Sequence, residues 1–164
     1  MTQGDADRDR DSAGRPRSAR PRDALGRPLP RGTPGEEGVP DDLLLPPGEA
    51  LALAQRLLDS GRPFHAHEVL EASWKAAPQP ERELWRGLAQ VAVGLTHAQR
   101  GNARGAASLL RRGGQAVGGY AATAPHGIDA AGVARAGAQL AARIEAGGTA
   151  AVTAGDLRLR LTGG

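Results

Sequence analysis

The sequence predicts an all-α protein, a compact antiparallel bundle of about five helices with disordered N- and C-terminal tails. Three observations carry this expectation. Between residues 46 and 147 the apolar residues recur at helical rather than strand spacing. Caps and stops punctuate that region at intervals of one helix each. Outside it, Pro, Gly and alternating charges leave nothing to pack, and the chain's 24 Gly and 12 Pro suggest that part of it never packs.

The first helix is expected over Pro47–Asp59, where Leu51, Ala54, Leu57 and Leu58 form a stripe and Ser60-Gly61 stops the run. The second starts at Pro63, a residue whose fixed φ suits a first helical turn, and ends near Ala76, because Pro78 disfavours helix at Ala77. The third begins at Pro80 with Glu81 and Glu83 at its positive end and closes on Arg100 before Gly101. It is apolar on nearly every side, as a central helix would be. Gly87 and Gly94 lie two turns apart on one side, costing about 1 kcal/mol each in propensity, which implies that another helix backbone approaches there. Asn102 caps a fourth helix carrying Ala106, Leu109, Leu110, Gly113 and Val117. Asp129 caps a fifth carrying Val133, Gly137, Leu140 and Ile144. Short links make neighbours antiparallel.

Residues 1–45 read as a disordered, charged, Pro/Gly-rich tail, 46–147 as the bundle, and 148–164 as a flexible C-terminal tail. Within the last, Leu157-Arg158-Leu159-Arg160-Leu161 alternates like a strand but has no second strand to pair with. The absence of cysteine removes disulfides and thiol chemistry. No apolar run reaches the roughly 20 residues of a membrane span and no apolar signal core opens the chain, so a cytoplasmic location is expected, with no membrane partner. The net charge of +3 rests on arginine, Lys75 being the lone lysine. In the N-terminal tail arginines alternate with aspartates instead of clustering, which argues against nucleic acid as partner. Nothing in the chain decides against a homo-oligomer.

The chemistry-bearing run is Phe64 to Trp74. At 100° per residue, Phe64, His67, Glu71 and Trp74 share about a quarter of the helix circumference with Glu68 beside them. Gln90 and His97 lie on one side of the third helix, two turns apart. The expected cluster is therefore His67, Glu68, Glu71, Trp74, Gln90 and His97 lining a shared inner region. In one reading it is a buried polar network that fixes helix register or holds a small molecule or partner. In the other, His67, Glu71 and His97 hold a divalent metal and Glu68 is the general base of a hydrolase-like enzyme. The His-Glu-x-x-Glu spacing lacks the second His of zincins and the paired Glu-x-x-His of di-iron bundles. Carboxylates one turn apart on one helix cannot flank a sugar, and no phosphate-cradling glycine loop is present. His65 and His126 are expected at solvent or in loops.

Phe64, His67-Glu68, Glu71 and Trp74, then Gly87 to Ala92, His97, Arg100-Gly101-Asn102, Gly105-Ala106 and Leu109-Leu110 together resemble the bacterial and archaeal family catalogued as domain of unknown function 309. The resemblance covers about residues 47–120. It implies a compact all-α bundle and brings no activity, substrate or cofactor. The N-terminal tail, the extra helix and the segment after Tyr120 are departures from the family pattern.

Overall fold

Each of the five expected helices forms, with the expected caps. The computed structural model describes residues 9–10, 16–17, 39–40 and 43–163. The expectation of disorder for residues 1–45 falls mostly outside these. Within them, Asp9–Arg10 (β1) and Pro16–Arg17 (β2) pair antiparallel over two residues each. The helices are Pro47–Asp59 (α1), Pro63–Ala76 (α2), Arg82–Gln99 (α3), Ala103–Gly118 (α4) and Ala130–Gly147 (α5). A 3-10 turn over Gln79–Glu81 takes up what was expected as the first turn of α3.

Local chemistry explains the boundaries. Pro47 and Pro63 occupy first-turn positions of α1 and α2. Ala77 is extended before Pro78, as the proline ring demands. Asn102 accepts the Gly105 N–H at 3.0 Å and Asp129 that of Gly132 at 3.0 Å, each satisfying a donor the first helical turn leaves open. Gly61 and Gly148, both at φ 73°, let the chain leave α1 and α5 through the left-handed region.

Each helix packs on the next in sequence. The core runs through Leu51, Leu58, Leu70, Leu84, Leu88, Leu95, Leu110, Val133 and Ile144. The α3–α4 approach is the tightest feature. A Cβ built on Gly87 would sit 2.9 Å from the Gly113 carbonyl oxygen, and one on Gly113 would sit 2.6 Å from that of Gly87. Gly94 faces Leu110 in the same way, at 2.9 Å. The glycine side of α3 therefore meets α4, as the spacing implied.

The segment after Gly147, expected as a flexible tail, lies against the bundle between α5 and α1. Leu159 and Leu161 are 7% and 1% exposed. The alternation that lacked a partner strand finds other partners. The Gln55 side chain of α1 donates to the Leu159 carbonyl at 3.1 Å and accepts the Leu161 N–H at 2.9 Å. Asp129 N–H donates to the Leu161 carbonyl, Gly163 N–H to that of Gly127, and Ile128 bridges Thr162 antiparallel. Arg143 fastens the nearer part through a two-point pair with Asp156 and a bond to the Ala151 carbonyl. Among the described residues, no helix is long and apolar enough to cross a membrane.

Candidate functional site

α2 buries Pro63, His65, Ala66, Val69, Leu70 and Ser73. That differs from the expectation that the Phe64–His67–Glu71–Trp74 face turns inward. Those four residues and Glu68 are instead half-buried along the flank of the helix. The reason is steric: small Ala66 and Ser73 let α2 lie close on its neighbours, and the larger polar and aromatic side chains take the rim. His65, expected near solvent, is 1% exposed and stacks edge-on against Phe64 with ring centroids 5.8 Å apart.

On the flank, His67 Nε2 lies 3.3 Å from Glu71, and the second Glu71 oxygen lies 3.3 Å from Lys75, so one carboxylate joins two bases at successive turns. The two side chains of the His67–Glu71 pair are 22% and 34% exposed, so the carboxylate is neither sealed in nor out in bulk water. Burial holds the His67 imidazolium below its ordinary value. Glu71 and the Phe64 backbone pull the other way, and Lys75 adds to the depression. The two rings at the ends of this face each meet an arginine: Arg86 lies 5.9 Å from the Trp74 ring centre and Arg100 lies 5.6 Å from that of Phe64.

Gln90 and His97 do not join this set. Gln90 faces α4, where its Cβ would meet a side chain at Gly113 at 3.0 Å. His97 Nδ1 pairs with Asn102 Nδ2 at 3.2 Å at the α3–α4 turn. Burial, then the nearby Arg100 charge, lower the His97 pKa. The helical position that gave both residues one side placed them on the Gly94 side, and that side belongs to α4. Among the described residues, no three His, Asp or Glu side chains gather as a metal-binding group. His67 and Glu71 come together, His97 does not complete them, and Glu68 stays on the α2 flank.

A second polar group, which local spacing could not show, ties the α4–α5 loop to the start of α3. Glu81 pairs with His126 Nε2 and accepts the Trp85 indole N–H at 3.4 Å. Tyr120 Oη donates to the Pro80 carbonyl at 2.8 Å, and His126 lies against Trp85. Ala124 and His126 both adopt positive φ, 41° and 57°, within this loop. His126 is thus partnered within its loop position, as a loop histidine with a specific role in holding it.

These features define an antiparallel α-bundle with an aromatic, arginine-framed edge and no assembled metal site among its described residues. Residues 51–109, from α1 into α4, match the model of the family described as "Domain of unknown function (DUF309)". The chain is 44% identical over 48 residues to a protein of Bacillus subtilis (strain 168) described as "Uncharacterized protein YpuF", covering 29% of this chain and 28% of that one. The chain therefore spans well under a third of that relative's length. No solved structure matches.

Proposed function

We propose that the domain is a protein-binding module whose contact surface is the α2 edge facing the ends of α3. One observation carries this reading. Phe64, Trp74, Trp85 and Tyr120 are all the Phe, Tyr and Trp residues of the chain, and two of them stand half-exposed on this edge, each against an arginine. Trp and Arg are the residue types that dominate binding energy at interface centres. Phe64 and Trp74 stand about 15 Å apart along the helix, a span that one segment of a partner can cover. Arg86 and Arg100 border the two rings with positive charge, so the partner that fits carries acidic groups around an apolar centre. The net charge of +3 favours such a partner.

Photocrosslinking in cells that natively express the protein tests this. A photoreactive side chain at Lys75 should give a discrete protein adduct that disappears when Trp74→Ala and Arg100→Glu are added. The same group at Arg135 on α5 should give none. An adduct indifferent to both substitutions, or equal from both positions, overturns the proposal.

A further inference from the structure

The C-terminal segment is held as a bound peptide is held, not as a helix packs. Gln55 reads its main chain at two points, Leu159 C=O and Leu161 N–H, the pattern by which an edge strand captures an extended peptide, here supplied by one side-chain amide on a helix. On the opposite side the backbone of Asp129 takes the Leu161 carbonyl. Leu159 and Leu161 point into the bundle while Arg158 before them and Arg160 between them are exposed. Recognition at Leu159 to Leu161 is thus of backbone plus an apolar-x-apolar pattern, with the Asp156–Arg143 pair fastening the segment just before it. Beside the seated segment an open cleft of about 250 Å³ remains, lined by Leu140 and Leu159 and by the charged Asp129, Arg143, Asp156 and Arg160. The matched family region ends at residue 109, so α5 and this segment lie outside the match.

We propose that the groove between α1 and α5 is a peptide-binding site, occupied at rest by the chain's own Leu159-Arg160-Leu161 and open in its place to an extended partner segment with the same apolar-x-apolar pattern. The site is separate from the α2 edge and stands whether or not that edge binds a protein. Tethering gives the resident segment a high effective concentration, so a free peptide competes poorly until the resident is loosened.

The probe is a fluorescein-labelled synthetic peptide of residues 153–163, followed by fluorescence anisotropy against the full-length protein. Leu161→Ala in the protein should tighten its binding at least tenfold over wild type. Adding Gln55→Ala should abolish that gain, and a peptide with aspartate at both leucine positions should not bind. Absence of tightening, or tightening that survives Gln55→Ala, overturns the proposal. Hydrogen exchange on the wild-type chain tests it without any variant. The Leu161 amide should exchange at least tenfold faster than that of Leu88 in α3, since the segment leaves without global unfolding. Equal rates would mean that it leaves only when the bundle unfolds, and would overturn the proposal equally.

Discussion

Gly113 and Gly114 are neighbours in α4, both buried, and replacing each by alanine should change stability in opposite directions. In a helix interior alanine is favoured over glycine by about 1 kcal/mol. At Gly114 the added Cβ would lie 3.5 Å from Ala134 backbone atoms, an ordinary contact, so most of that gain should survive. At Gly113 it would lie 2.6 Å from the Gly87 carbonyl oxygen and 2.8 Å from the Val91 nitrogen. Both are backbone atoms of α3, so no side-chain rotation relieves the clash and the two helices must move apart. Overpacking of this kind costs about 1–3 kcal/mol, more where backbone must shift. The net expectation is a loss of about 1–2 kcal/mol for Gly113→Ala and a gain of about 0.5–1 for Gly114→Ala. For a folded region of this size each kcal/mol moves Tm by about 4 °C or more. Thermal and guanidinium unfolding followed by far-UV circular dichroism reads both. A Gly113→Ala protein as stable as wild type would refute the close approach of α3 and α4 on which the bundle depends.

Four further outcomes follow from the same geometry. The pKa of His67 is depressed in the folded chain, so the unfolded chain binds more protons below about pH 6.5; stability should fall as pH drops from there through the folded value, and His67→Gln should flatten that slope in urea titrations. Glu71→Gln should lower the His67 pKa further, as read by NMR titration of the imidazole, because the carboxylate is the largest influence raising it. Asp156 is held at about 2 chiefly by its hydrogen bonds from Arg143, so Arg143→Met should bring it back towards 3.8 in carboxyl NMR titration. Leu161→Ala should cost only about 1–2 kcal/mol in urea unfolding against about 3–5 for Leu88→Ala, although both leucines are fully buried, because a segment that can detach limits the penalty to its own release.

The helices were legible because their signals are local. Pro63 sets a start, Pro78 sets a stop, and Asn102 and Asp129 cap the turn that immediately follows them. Gly87 and Gly94 were legible for a different reason: a residue that weakens its own helix implies a neighbour that needs the space, and α4 is that neighbour. The C-terminal segment was misjudged because its alternating leucines were weighed only against other strands. Its partner is a glutamine 106 residues away in sequence, at Leu161, and no periodicity in either segment points to the other. Glu81 and His126 escaped for the same reason, at a separation of 45 residues.

The candidate cluster shows where residue spacing stops deciding structure. Spacing places Phe64, His67, Glu71 and Trp74 together, and they are together. It does not say which side of α2 the bundle takes, because the opposite side offers Ala66, Val69, Leu70 and Ser73 beside His65, a face of smaller side chains without a carboxylate. Burying that face takes one imidazole, that of His65, out of water but no carboxylate, whereas burying Glu71 with His67 would require the partners that an ionised pair needs away from water. The energetic preference therefore runs to the small face, and the aromatic rings go with the charged groups to the rim. Arg86 and Arg100 then stack on them from α3 and the turn after it. The same reasoning separates His97 from His67. Gly94 brings α4 against α3, and His97, one turn on, follows that contact to Asn102 instead of crossing to α2. A face that stays at the rim with its rings intact is suited to a second molecule, because the apolar area it still exposes is available to be covered on binding.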